Sequence, residues 1–439
     1  MPVDSHLKVS VRLLAAFALA LLTPAAAEAQ DPASLSDYLP RLERNLKENI
    51  APFWMRTSLD LKNGGYLLNL DESGTFNSGH ATKMIVTQAR QVWLFSRLAR
   101  AGYGGREYLD AADLGFRFLK DRMWDAQNGG FYWEVDVKGE KHLNPRKHLY
   151  GQAFGLYGLS EYYLASRKKE VLELAVRLFN LLEARSHDNT YGGYIEYFNE
   201  DWTAPPPNEN SPMGLEPDLK LMNTHLHLLE AMTTFYRASK LPLARERLLE
   251  LITIECDTVV RKGLGACTDQ YERDWRPRLG GDRARVSYGH DIENVWLLID
   301  ACQAAGLSPY PHLDLFRALW SYALKYGYDE ENGGIFNWGG FNQPAGNRAK
   351  SWWGQAEAIV SALYMYRLNR DPKYLAVFMQ TYDFIERKFV DWKNGEWFEA
   401  VSAQNTTIGG PKAHAWKAGY HNGRSMIECI LLIKEITGK

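Results

Sequence analysis

The sequence predicts an all-α protein, an (α/α)6 barrel of about twelve helices with short β-hairpins at one end. Three observations carry this expectation: a turn motif that repeats along the chain, helical apolar spacing between the turns, and intervals long enough for two helices each. The turn Lys62-Asn63-Gly64-Gly65-Tyr66 returns as Gln127-Asn128-Gly129-Gly130-Phe131 and Thr190-Tyr191-Gly192-Gly193-Tyr194. It returns again as Glu331-Asn332-Gly333-Gly334-Ile335 and Lys393-Asn394-Gly395-Glu396-Trp397, with a degenerate copy at Lys262-Gly263-Leu264-Gly265-Ala266. Asn-Gly and Gly-Gly steps followed by aromatic residues read as tight turns entering short strands. The copies lie about 62–73 residues apart, room for two helices and a hairpin.

Between turns the apolar period is helical. A leading helix is expected near 36–55, followed by pairs near 82–100 and 106–122, 147–165 and 169–185, and 220–238 and 242–260. Further pairs fall near 289–304 and 311–327, then 351–367 and 372–389, with a last helix near 419–435. Six helical hairpins that each leave an apolar face open can bury it by closing into a ring, with every second helix inside. An open solenoid is the competing arrangement.

Lys8 and Arg12 precede the apolar run Leu13 to Leu22, and Ala27-Glu28-Ala29 supplies an A-x-A cleavage site. This order reads as a secretory signal over residues 1–29, too short in its apolar part to span a bilayer. Residues 30–439 are then one (α/α)6-barrel catalytic domain, expected in the periplasm or secreted, with no membrane association after signal removal. The charge is balanced, Lys+Arg 51 against Asp+Glu 53, which supplies no basic field for a phosphate backbone and argues against nucleic-acid binding. The four cysteines, Cys256, Cys267, Cys302 and Cys429, have no metal-ligand spacing. A Cys256–Cys267 bridge competes with the blander reading of buried free thiols. A monomer or weak dimer is expected.

Residues that look chemical fall on the helices immediately after the turns: Arg90 and Trp93, Tyr150, Asn223 and His227, His290 and Glu293, Trp353 and Glu357, then Trp416 and His421. Asn223/His227 and Trp353/Glu357 are spaced i,i+4 and His290/Glu293 i,i+3, so each pair shares a helix face. Six inner helices presenting such groups at one end describe a pocket mouth. Each residue alone also reads as a core side chain or an ion-pair partner. His225-Leu226-His227 looks metal-like, but i,i+2 on a helix points the rings apart, so no metal is expected. His187 and His414 sit in turn-like segments and read as solvated. Walker loops, H-E-x-x-H, G-x-S-x-G and Rossmann glycines are absent.

The segments Met222-Asn223-Thr224-His225-Leu226-His227, Ser287-Tyr288-Gly289-His290-Asp291-Ile292-Glu293 and Trp352-Trp353-Gly354-Gln355-Ala356-Glu357 resemble the N-acylglucosamine 2-epimerase superfamily. With Trp416-Lys417 and Tyr420-His421-Asn422-Gly423-Arg424, the sequence is most similar to the cellobiose 2-epimerase branch, over about residues 36–435. The resemblance implies a cofactor-independent inversion at C2 of the reducing-end sugar of a β-1,4-linked disaccharide. It implies His290 and His421 as paired acid/base residues and Arg90 as the contact to the reacting oxygens. Asn223, His227, Glu293 and Glu357 would orient hydroxyls and the histidines, Glu293 being placed to fix the tautomer of His290. Trp353, Trp416 and Tyr150 would hold the sugar.

Histidine suits the two proton transfers because its pKa lies near neutrality. By resemblance, removing the C2 proton of the opened sugar leaves a planar enediolate, and an aldose–ketose isomerase acting on mannose or a related monosaccharide would share that intermediate and stays open. So do a glycoside hydrolase using Glu293 and Glu357, and a non-catalytic saccharide-binding protein. The Pro-rich stretch from Trp202 to Leu219 is long for a connection and is expected to cover an extended substrate or to be a solvated loop.

Overall fold

The computed structural model describes residues 32–439, so the expected signal over 1–29 lies outside the described residues. The first helical run is continuous: α1 (Tyr38–Arg44) passes through a π turn at Asn45–Ile50 into α2 (Ala51–Thr57). Paired helices follow: α3 (Ile85–Arg100) with α4 (Arg106–Phe118), α5 (Leu149–Ser166) with α6 (Lys169–Arg185), and α7 (Met222–Ser239) with α8 (Pro242–Thr253). Then come α9 (Tyr288–Ala305) with α10 (Leu313–Gly327), α11 (Trp352–Asn369) with α12 (Pro372–Lys388), and α13 (Tyr420–Thr437). Helices α3, α5, α7, α9, α11 and α13 each pack on the next, and α13 packs back on α3. The ring is closed, so the solenoid alternative fails and the (α/α)6 barrel stands.

Burial separates the two layers. In α5 every residue from Leu149 to Tyr162 is buried, because an inner helix touches two neighbours and an outer partner at once. In α4 the buried positions are Ala111, Ala112, Gly115, Phe116 and Phe118, a single stripe facing inward. Close inner packing has its own requirement: a Cβ on Gly158 of α5 would stand 2.8 Å from the Ala89 carbonyl oxygen of α3. Among the described residues no helix is long and apolar enough to cross a membrane.

At one end of the ring lies a layer of antiparallel strands, each two or three residues long. The strand entering an inner helix pairs with the hairpin of the next repeat, as Thr82–Met84 does with Glu134–Asp136 and Lys350–Ser351 with Ala400–Val401. A bridge between Leu70 and Ala413 closes this layer as α13 closes the ring. In the turns themselves, Gly64 and Gly65 take φ of +83° and +68°, values that side-chain-bearing residues rarely adopt.

Five of the six turns are fastened by a buried ion pair. Asp60 accepts from the backbone amides of Lys62 and Asn63, and Lys83, two residues before α3, meets its carboxylate at 2.8 Å. The same pair recurs as Asp125–Lys147, Asp188–Lys220, Asp329–Lys350 and Asp391–Lys412, at 2.7–3.0 Å. Five residues after each lysine a second side chain holds the turn. Gln88, Gln152 and Gln355 bond both amide and carbonyl of Tyr66, Phe131 and Ile335. His225 accepts from the amide of Tyr194, Asp291 from that of Cys267, and Lys417 donates to the carbonyl of Trp397.

In the degenerate repeat Arg261 and Val286 occupy the Asp and Lys positions. The two charges are lost together, since either alone would be buried without a partner. Asp125→Ala is therefore expected to cost about 3–5 kcal/mol by leaving Lys147 unpaired. The double change Asp125→Val with Lys147→Val should recover a large part of that loss, measured as the midpoint shift in urea unfolding.

Candidate active site

The N-terminal ends of the six inner helices surround one cavity. Arg90 reaches it from α3, Tyr150 from α5, His227 from α7, His290 from α9, Trp352 and Trp353 from α11, and His421 from α13, with Trp416 arriving on the preceding loop. The helix register sets two levels. Tyr150, His290, Trp353 and His421 lie one or two residues into their helices and form the walls. Arg90, Phe154, His227, Glu293 and Glu357 each lie five residues after the helix start, one turn deeper. Outward, the cavity joins a wider chamber of about 430 Å³ that shares His290, Trp352 and Trp353 and adds Asp269, Arg285, Asn337, Trp338 and Glu399.

The two expected acid/base histidines share this space. Trp353 packs against both, its ring 4.6 Å from His290 and 6.0 Å from His421 between centroids. His421 is fixed through Nδ1, 2.7 Å from Glu357 Oε1, while Glu357 Oε2 accepts from Trp296 Nε1 at 2.9 Å. Its Nε2 is thus the ring nitrogen left for the cavity. His227 is held the same way, Nδ1 lying 3.1 Å from Glu230 Oε2. Burial lowers the pKa of His290 to about 4 and that of His421 well below the ordinary histidine value, with Arg90 adding to the effect at His421.

Beneath the cavity Arg424 gathers the acidic groups. Its guanidinium donates to Glu293 Oε1 at 3.0 Å and Glu357 Oε1 at 2.8 Å, and it pairs with Glu230. Tyr420 donates to Glu230 and accepts from Arg424. This corrects one expectation: Glu293 does not orient His290. Three residues further along α9, it sits a full turn below the imidazole, at the level where Arg424 draws its carboxylate away. Burial also raises the carboxyl of Glu293 to about 8 and holds that of Glu357 well above the ordinary carboxylate range, which favours their protonated forms.

The other expected residues are placed as follows. Arg90 donates to the Trp416 carbonyl at 2.7 Å and to Tyr150 Oη at 3.1 Å, its guanidinium 4.2 Å from the Phe154 ring. Trp416 stands at the rim, 37% exposed. Trp93 is buried under the cavity floor, stacked on Tyr157. Asn223 does not line the cavity; its backbone amide donates to Asp269. His225 points outward into its turn with Nδ1 on the Leu221 carbonyl at 2.7 Å, a structural role.

His187 is not solvated, being tied to Glu250 at 3.0 Å, and His414 lies 3.2 Å from Glu399. All four cysteines are buried and free. No residue between Trp202 and Leu219 lines either chamber; Glu209 pairs with Arg146, and Glu216 with Arg278 and Arg283, so this stretch is pinned by its ion pairs rather than drawn across the cavity.

Single donor atoms of Glu293, Glu357 and His421 lie within 4.8 Å of one another, a spacing that a metal ion would accept. The Arg424 guanidinium donates to both of these carboxylates, however, and occupies the positive-charge position itself. Sequence reading passed over Glu230 and Arg424 as site residues. Their signals were the i,i+3 spacing of His227 with Glu230 and an arginine heading the apolar run Met426-Ile427. His225→Gln, which installs the residue used by three other repeats, is expected to leave activity and unfolding midpoint close to those of the parent protein. Loss of activity on that change would contradict a purely structural His225.

The sequence matches the family described as N-acylglucosamine 2-epimerase (GlcNAc 2-epimerase) over residues 65–423. It is 32% identical over 397 residues to the cellobiose 2-epimerase of Bacteroides fragilis, covering 89% of this chain and 97% of that protein. The cellobiose 2-epimerase of Dictyoglomus turgidum is 34% identical over 399 residues, covering 88% and 96%. Among solved structures, the cellobiose 2-epimerase of Spirochaeta thermophila superposes with a TM-score of 0.83 at 35% identity, covering 92% of this chain and 98% of that one. With the turn repeats, the closed helical ring and the paired histidines in place, the chain belongs to the N-acylglucosamine 2-epimerase family.

Proposed function

We propose that the protein inverts C2 of the reducing-end residue of a β-1,4-linked disaccharide of the cellobiose or mannobiose type, with His290 and His421 moving the proton. Family membership makes the chain a carbohydrate epimerase, an isomerase. The observation that carries the finer reading is one tryptophan, Trp353, touching two imidazoles that line one cavity. The opened sugar exposes an aldehyde that acidifies the C2 hydrogen. One histidine takes that proton, a planar enediolate forms, and the other histidine returns a proton to the opposite face. Arg90 stands at this cavity to meet the developing oxyanion, an interaction of about 3–4 kcal/mol by analogy with other oxyanion donors.

The His421–Glu357 bond supports a reversible role. With the shared proton on Nδ1, Nε2 is a base. With it on Glu357, Nδ1 accepts and Nε2–H is an acid. Burial favours both forms by keeping the imidazole neutral and the carboxyl protonatable. Support for a disaccharide comes from the outer chamber, whose partly exposed Trp338 and the polar groups Asp269, Asn337 and Glu399 offer a second sugar a stacking face and hydrogen bonds. Glycoside hydrolysis needs two carboxyl groups flanking the glycosidic bond. Glu293 and Glu357 instead lie together under His421, both fully buried.

The deciding experiment incubates the pure protein with cellobiose, mannobiose, glucose, mannose and N-acetylglucosamine in D₂O. An epimeric disaccharide carrying deuterium at C2 is the expected product; a ketose labelled at C1, or released monosaccharide, would overturn the reading. His290→Ala and His421→Ala should each abolish epimerisation while the circular-dichroism spectrum and unfolding midpoint hold. Because the His290 pKa is lowered to about 4, the acid limb of kcat/KM should fall well below the ordinary histidine value of about 6.5. A limb near 6.5 would show that the working base is not buried.

A further inference from the structure

The barrel axis holds a second cavity behind the first, about 220 Å³, among the C-terminal halves of the inner helices. Three inter-helix ion pairs surround it: Arg97–Glu428, Arg100–Glu161 and Arg237–Asp300, each at 2.6 Å. Exposure falls steeply along it. The side chains of Arg100 and Arg237 are 37% and 36% exposed at its mouth, whereas Glu230 and Arg424 at its inner end are 3% and 1% exposed. Trp93 Nε1 and Arg424 Nε, both buried and both on residues lining the cavity, have no hydrogen-bond partner. Buried polar atoms of this kind mark places where water completes the bonding.

One layer of side chains separates this polar cavity from the front one. Glu230 lines the rear cavity, its Oε2 lies 3.1 Å from His227 Nδ1, and His227 lines the front cavity. We propose that the rear cavity, Glu230 and His227 form a proton-exchange route between solvent at the far end of the barrel and the sugar pocket. The inference rests on the two-histidine reading above and deepens it. Each turnover leaves the histidine that was the base protonated and the donor bare, so the pair must exchange protons before the same epimer can react again, and the rear cavity offers a way to do so that stays open while a sugar fills the front.

The step balances without a co-reactant. A proton from bulk solvent, passed along water in the rear cavity, is taken by Glu230; Glu230 gives one to His227 Nδ1; His227 releases its Nε2 proton into the pocket and is left as the Nδ1–H tautomer, which the return step resets. The reverse sequence exports a proton. Arg424 only positions Glu230, because a guanidinium does not give up its proton. Glu230 and His227 are positioning and relay groups here and need not touch the sugar.

Thr234, one turn after Glu230 on α7, lines the rear cavity and touches neither acid/base histidine. Thr234→Leu narrows it and replaces a hydroxyl on its wall by an apolar side chain, and Glu230→Gln removes the relay carboxyl. With cellobiose as substrate, both changes are expected to lower kcat about tenfold with KM held, less than the roughly 10²–10⁴-fold cost of losing a positioned proton transfer outright, because both acid/base histidines remain. Deuterium gained at C2 per turnover in D₂O should fall in parallel. A Thr234→Leu protein with unchanged kcat and unchanged deuterium gain overturns the route, whatever Glu230→Gln does to folding. If the parent protein turns over none of the five sugars, the histidine reading fails. The route is then read from the exchange rate of the His227 N–H in ¹⁵N-histidine-labelled protein saturated with cellobiose. Slowing by Thr234→Leu supports it, and an unchanged rate overturns it.

Discussion

One buried guanidinium organises the interior. Arg424 comes from α13 and meets carboxylates from α7, α9 and α11, so four of the six inner helices converge on a single charge. The rings of Tyr420 and Trp296 lie 4.3 and 4.7 Å from it. Three carboxylates cannot all stay ionised around one cation away from water, and burial raises two of them, which favours their protonated forms. Of these two, Glu357 bonds an imidazole, that of His421. Without Arg424 the carboxylates would repel or turn outward, and His421 and His227 would lose the partners that set their tautomers.

A second constraint works at the other layer. Every repeat must bring an inner helix to the same height for its early residues to face a common space. The Asp–Lys pair and the side chain five residues beyond it tie the turn to the helix start, and five of six repeats keep both devices. Because the clamps fix the register, residues one, two or five positions into a helix have defined levels. Chemistry is then varied by changing side chains at those levels while the clamps stay put.

This explains how far the sequence could be read. Turn spacing and apolar period gave the ring and each helix to within a few residues, since both depend on local pattern. Early inner-helix residues pointed to the cavity for the same reason. Partnership across helices was not legible: nothing local says that Glu293 bonds Arg424, more than a hundred residues away, instead of His290 on its own face. His187 was misread because its partner, Glu250, lies on another repeat. The length of the Pro-rich stretch likewise carried no information about direction; its ion pairs with Arg146, Arg278 and Arg283 pin it rather than let it cross the cavity.

The parallel inner helices also give the barrel a polarity. Six N-termini point at the front cavity, where the unpaired amide ends favour an oxyanion such as an enediolate. Six C-termini point at the rear, where Arg97, Arg100 and Arg237 lie near the ends of their helices, each matched by a carboxylate on a neighbouring helix. Negative charge is therefore favoured at the front end. A ring of antiparallel inner helices would cancel this gradient. The turn clamps, by making every inner helix start at the same end, maintain it, and the buried acids around Arg424 sit between its two ends.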